Sequence, residues 1–496
     1  MSARAVMVLG TTSGAGKSWL CTALCRWYAR AGLRVAPFKA QNMSNNARVV
    51  PRPDGGPGEI GSAQFFQALA ARARPDVRMN PVLLKPERDT ASQVVVLGRV
   101  RGELAAVPWR ARSELLWPAV REALHELLAE NEVVVIEGAG SPAEINLHAS
   151  DYVNMRTARE AGAACLLVTD IDRGGAFAHL YGTHQLLPPA DRAAIRGFVL
   201  NKFRGDEQLL APGPEQLQGL TGVPTVAVLP MWRGHGLPEE DGVFDERSAD
   251  PSDANAETKL AIAVVAYPHI SNLDEFQPLR ACRAVSLRWA RTPAELARAD
   301  WIILPGSKNT SGDRAWLRDQ GLDPVIRAHA AAGKPLLGIC GGLQILGGRL
   351  RDPHGVDGDE HGLDLLPLET RFDRDKRLAE TRARFATDMD MAGVWRALGG
   401  VSFDGYEIRH GRTAPVDSGG SQGPVRAVLR DEAGAALGWQ RDNVLGLYVH
   451  GMFEAAPVMR ALFGDEPRSL DAVFDGLAAF VDARFEAGVL AGLIGR

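Results

Sequence analysis

The chain has 496 residues, 46% of them hydrophobic, and a formal net charge of −4 at pH 7. That length exceeds what one hydrophobic core usually serves, so two or three domains are expected. The slight negative charge argues against general nucleic-acid binding. The cysteines, Cys21, Cys25, Cys165, Cys282 and Cys340, are odd in number and lack paired metal-ligand spacing. Neither a disulfide framework nor a zinc site is indicated. With no charged leader and no apolar run of about 18 residues, a cytoplasmic, membrane-free protein is expected.

Apolar runs bounded by turns recur at 6–9, 133–136, 165–168, 198–200 and 225–229, with amphipathic helical stretches between them. This alternation predicts a doubly wound α/β fold around a mostly parallel sheet. Residues 247–258 are polar, turn-rich and free of aromatics, as a linker would be. The alternation resumes at 260–266, 301–304, 336–339 and 445–449. We therefore expect domains at 1–246 and 259–496. Segments 51–60 and 415–424, rich in Gly, Pro and Ser, read as surface loops.

The first run leads into GTTSGAGKS at 10–18. Gly10, Gly14 and Gly16 free backbone amides to approach phosphate oxygens, Lys17 can reach terminal phosphates, and the Ser18 hydroxyl suits magnesium. The familiar G-x-x-x-x-G-K-[ST] pattern has one residue fewer between its outer glycine and its Gly-Lys pair. That longer loop resembles dethiobiotin synthetase and its relatives, which use ATP to activate carboxylates. The resemblance implies that Lys39 and Gln41 are delivered to the phosphates or the substrate and that Glu137 and Asp170 bind magnesium. It also places Asp172 beside the substrate and Asn201 at the adenine edge. Each residue has a plainer role open to it, as a loop cap or turn residue. Five at successive strand ends of one sheet favour ligand binding, because ligands bind at that edge.

In PLLGICGGLQILGG, Cys340 lies between an apolar run and a helix, with Gly338 and Gly342 in a G-x-C-x-G pattern. Small residues suit a nucleophile on a strained turn. A helix N-terminus lowers a thiol's pKa, and the Gly341 amide can receive an oxyanion. A base is offered far downstream by His450 in YVHGMFE. This arrangement resembles the class I glutamine amidotransferases. The likeness implies an oxyanion hole completed by Gly306 or Ser307 in LPGSKNT and a glutamine contact at Gln344. Many members of that class carry a carboxylate two residues after the histidine; here Met452 stands there, and Glu454 is too far along to replace it by assumption. A Cys-His dyad is expected, with no visible group to orient His450. His361 and His410 read as surface or core polar groups, and 352–357 nearly matches a cobalt-ligand pattern that Asp357 breaks.

Taken together, FKAQNMSNN, NPVLLKP, DIDRGG, LPGSKNT and GYEIRHG resemble the cobyric acid synthase family over nearly the whole chain. The resemblance implies ATP with Mg2+, glutamine as nitrogen donor, and a corrinoid substrate, adenosylcobyrinic acid a,c-diamide, amidated at b, d, e and g. Lys39, Lys85 and Arg173 become candidate carboxylate contacts, each with simple surface solvation as its plainer role. Two other readings stand beside this one. One is the sister enzyme acting at positions a and c; the other is a regulatory ATPase carrying a non-catalytic amidotransferase-like module.

Overall fold

The computed structural model describes residues 4–88, 91–238, 259–387, 393–416, 424–466 and 468–496. The linker expected at 247–258 and most of the loop expected at 415–424 lie outside them. The first domain is built on six parallel strands in the order Thr225–Pro230, Ile195–Phe203, Ala164–Asp170, Arg4–Gly10, Val133–Glu137 and Val35–Phe38. Alternate residues of Arg4–Gly10 feed separate cores: Met7 and Leu9 enter one, Val6 and Val8 the other. A strand that buries both faces needs helices on both sides, which is why the apolar runs are nearly continuous.

The segment 51–60 is a surface loop only in part, exposed at 53–55 but not beyond 57. Ala47–Pro51 and Pro57–Gly61 form an antiparallel hairpin, and Glu59 and Ile60 are fully buried in its second strand. Burial of Glu59 is possible because Lys85 and Lys376 neutralise it. The helix Ser62–Ala70 follows directly.

In the second domain Leu260–Val265, Val285–Ala290, Trp301–Leu304, Leu336–Ile339 and Val444–Leu447 run parallel, and antiparallel strands extend the sheet beyond Val444–Leu447. A long hairpin, Leu368–Phe385 with Ser402–Pro415, projects from that extension and carries the GYEIRHG segment.

The last residues do not stay with this sheet, so 259–496 is not one packing unit. Val473, Phe474, Leu477, Val481, Phe485, Leu490 and Ile494 join the first domain's core. The helix Leu470–Asp482 lies along Lys17–Arg30, where Arg26 pairs with Asp471 and Asp475, and the Tyr28 hydroxyl donates to the Leu490 carbonyl at 2.8 Å. The apolar stripe of Leu470–Asp482 repeats at helical spacing and has to be covered.

Cys21 and Cys25 share that core with Phe474, so Phe474→Ala, at a cost of about 3 kcal/mol, should speed native-state thiol labelling of both cysteines about a hundredfold. Peptide mass spectrometry after timed labelling checks this; unchanged protection would mean the segment is not part of the core.

Candidate active sites

Strand Arg4–Gly10 ends in the loop that precedes the helix Lys17–Arg30. Gly14 and Gly16 adopt φ of 69° and 98°, and a Cβ on Gly16 would lie 2.1 Å from Asn201 Nδ2. Asn201 thus braces the loop: Nδ2 donates to the Ala15 carbonyl at 2.9 Å and Oδ1 accepts from the Lys202 amide. Lys17 Nζ donates to the Thr12 and Gly140 carbonyls. Arg173, largely exposed, reaches over Gly14.

Glu137 ends its strand fully buried and accepts from Ser18 Oγ at 2.7 Å, Lys39 Nζ at 2.7 Å and Gln67 Nε2 at 2.6 Å. Burial opposes ionisation of this carboxyl, but Lys39 and these donors outweigh it and hold it below the usual carboxylate range. Ser18 and Glu137 are therefore brought together as expected. Asp170 is not joined to them: its carboxylate faces Lys202 at 3.1 Å and Arg173 at 3.3 Å. Gln41 accepts from the Tyr152 hydroxyl, and Asp172 accepts from Arg204.

At the second site Cys340 joins Leu336–Ile339 to Gly341–Leu346 with φ 52° and ψ −105°. For a residue with a side chain this is a strained conformation, of the kind stored at nucleophile elbows. Close approach explains the glycines. A Cβ on Gly342 would lie 1.8 Å from the Leu304 carbonyl oxygen, and one on Gly341 would lie 2.8 Å from the Ser307 amide nitrogen. The Gly341 and Ser307 backbones consequently meet beside the thiol. The Ser307 hydroxyl donates to Asp313, and Gln344 accepts from Thr310 while facing the Tyr448 hydroxyl.

His450 is buried and hydrogen-bonded through Nδ1 to Glu275 Oε1 at 3.0 Å, while the Cys340 thiol, its electrostatic neighbour, donates to the Ile408 carbonyl at 3.7 Å. Glu275 Oε2 accepts from the Gly451 amide at 3.1 Å. The third carboxylate that the residues after His450 do not supply comes from a short helical turn, Leu273–Phe276, far earlier in the chain. Nothing in local spacing marks it. Burial disfavours the imidazolium, but the charge and hydrogen bond of Glu275, together with the neighbouring Cys340, prevail and push the histidine up to about 10. Met452 is buried core, and Glu454 pairs with Arg48.

The cavity beside Cys340 is walled by both domains, including Asn45 and Lys85 from the first and Gln344 and Arg409 from the second. Lys376 also lines it and is buried; desolvation lowers its ammonium to about 7 although Glu59 opposes that. His410 lies there too, not on the surface, and burial together with Lys376 lowers it to about 4. Lys85 is buried against Glu59 and not solvated as a surface lysine would be. Among the described residues no helix is long and apolar enough to cross a membrane, and no cluster of three or more His, Cys, Asp or Glu side chains could hold a metal.

Residues 6–233 match the family model of the CobQ/CobB/MinD/ParA nucleotide-binding domain, and 261–458 match that of the CobB/CobQ-like glutamine amidotransferase domain. The chain is 68% identical to cobyric acid synthase of Methylibium petroleiphilum, with 99% of this chain and 97% of the relative covered. It is 65% identical to that of Leptothrix cholodnii over 99% of this chain and 97% of the relative. Against that of Variovorax paradoxus it is 66% identical, with both chains covered completely.

An imidazolium neighbour favours a reactive thiolate. Because Glu275 keeps His450 protonated through neutral pH, Glu275→Gln should slow iodoacetamide alkylation of Cys340 at pH 7 about tenfold or more, one pKa unit being a factor of ten. The difference should narrow above about pH 10, where the wild-type imidazole is also neutral. Equal rates at pH 7 would show that Glu275 does not govern the pair.

Proposed function

The chain belongs to the cobyric acid synthase family, and from that premise we propose that it uses ATP and glutamine to amidate the b, d, e and g carboxylates of adenosylcobyrinic acid a,c-diamide, giving adenosylcobyric acid. One observation carries this reading: a nucleophile elbow and a phosphate loop occur in one chain, and the cavity beside the nucleophile is walled by residues of both domains.

In the second domain the Cys340 sulfur attacks the side-chain amide carbon of glutamine. The Gly341 and Ser307 amides receive the oxyanion, a contribution worth about 3 kcal/mol per donor. His450 gives a proton to the departing nitrogen as the tetrahedral intermediate collapses, releasing ammonia and leaving a thioester. Water, deprotonated by the same imidazole, then cleaves the thioester to glutamate.

In the first domain the corrinoid carboxylate attacks the γ-phosphorus of ATP, ADP leaves, and ammonia displaces phosphate from the resulting acyl phosphate. Lys17 and the loop amides hold the triphosphate, and Arg173 above Gly14 is placed for phosphate more than for a corrinoid carboxylate. A half-buried hydroxyl and a buried carboxylate 2.7 Å apart are hard oxygen donors that fit magnesium, so Ser18 and Glu137 would hold it. When bound, that ion neutralises phosphate charge. Asp170 faces Lys202 and Arg173, so for it to join the set it would have to exchange those partners, as Glu137 would exchange Lys39. Lys39, Gln41, Lys85 and Asp172 already have buried or ion-paired partners, so substrate contact by any of them requires an exchange of partners.

Incubated with ATP, glutamine and the a,c-diamide, the protein should raise the corrinoid mass in four amide steps with matching glutamate and ADP release. Cys340→Ala should do so only with added ammonia. Glutamate release with no change in corrinoid mass would sink the substrate assignment and leave the glutaminase standing.

A further inference from the structure

Arg48 sits on Ala47–Pro51 of the first domain, yet its guanidinium is buried among residues of the second. Nε donates to Asp274 Oδ2 at 3.0 Å, and Nη1 and Nη2 form a fork on Glu454 at 3.0 and 2.5 Å. Asp274 is the neighbour of Glu275, the carboxylate that holds His450. The guanidinium carbon also lies 4.8 Å from the centre of the Tyr406 ring, and that ring stacks on His450 with centroids 5.3 Å apart and planes at 21°. Tyr406 and His450 exchange both backbone hydrogen bonds. Beside Arg48, the Ala47 amide donates to Asn272 Oδ1, and Asn46 Oδ1 accepts from the Leu273 amide. The turn that carries Glu275 is thus held by the first domain at Asn272, Leu273 and Asp274, and the base is flanked by a ring on which Arg48 packs.

We infer that Arg48 is a positioning residue for the base at His450, so that the glutamine-hydrolysing site is built in part by the ATP-binding domain. A guanidinium fork that joins a buried carboxylate, Asp274, to the half-buried Glu454 is strongly directional, and its loss leaves both acidic groups without a cation beside Glu275. Displacement of a catalytic group by about 1 Å costs on the order of a hundredfold in rate. Arg48 touches neither Cys340 nor the nucleotide loop, so its effect should fall on turnover and not on glutamine binding. The inference rests on the reading of Cys340 and His450 as a glutaminase pair.

The test is glutamate release and corrinoid amidation by wild type, Arg48→Met, Arg48→Lys and Glu454→Gln, each with glutamine and with ammonia. Arg48→Met should lower kcat for glutamate release about tenfold or more with KM for glutamine within about twofold, while ammonia-supported amidation stays near wild type. Arg48→Lys, which keeps the charge but not the fork, should recover part of the loss. Glu454→Gln, altered within the second domain, should give the same kcat-specific defect if Arg48→Met fails to fold. Unchanged glutamate release in Arg48→Met, or equal loss of glutamine- and ammonia-supported amidation in the folded variants, would overturn the inference. No glutamate release by the wild type would instead overturn the glutaminase reading beneath it.

Discussion

A carboxylate without exposed surface must have its charge met where it sits. Glu275 is such a group, and among the described residues His450 and the Gly451 amide meet it. That requirement fixes the imidazole's orientation and draws the turn Leu273–Phe276 against the segment that follows the strand Val444–Leu447. Asp274, also buried, repeats the demand one residue earlier and is answered from the other domain by Arg48 and by Ser62. Contact between the two domains and the seating of His450 are therefore one electrostatic arrangement.

What was legible in the sequence is what local chemistry dictates. The phosphate loop needs glycines because Asn201 and backbone oxygens crowd it, and the elbow needs them because Leu304 and Ser307 pass within contact distance; both demands are written in consecutive residues. The parallel strands were legible because burial on both faces leaves unbroken apolar runs. Glu275 was not, because a hydrogen bond across far-separated segments leaves no spacing to read. The same holds for Glu59, whose Gly- and Pro-rich surroundings suggested a loop and whose burial depends on lysines from two domains. Asp170 shows a related limit: a carboxylate at a strand end looks alike in sequence whether it faces a metal or, as here, Lys202 and Arg173.

The helix Ser62–Ala70 serves both sites at once. Gln64 and Gln67 reach Glu137 beside the phosphate loop, Ser62 reaches Asp274, and Phe65 and Phe66 pack on Arg48. Its nine residues span about 14 Å at 1.5 Å per residue. Glu137 and the turn that carries Glu275 are consequently braced by a single rigid element, without an intervening loop.

The return of residues 470–494 to the first domain sets an order for biosynthesis. Translation delivers the nucleotide-binding sheet first, yet one of its two cores lacks Phe474, Leu477 and Ile494 until the second domain has already been made. The earliest domain to emerge is the last to be sealed, and the helix Lys17–Arg30 presents uncovered apolar surface to the cell throughout that interval.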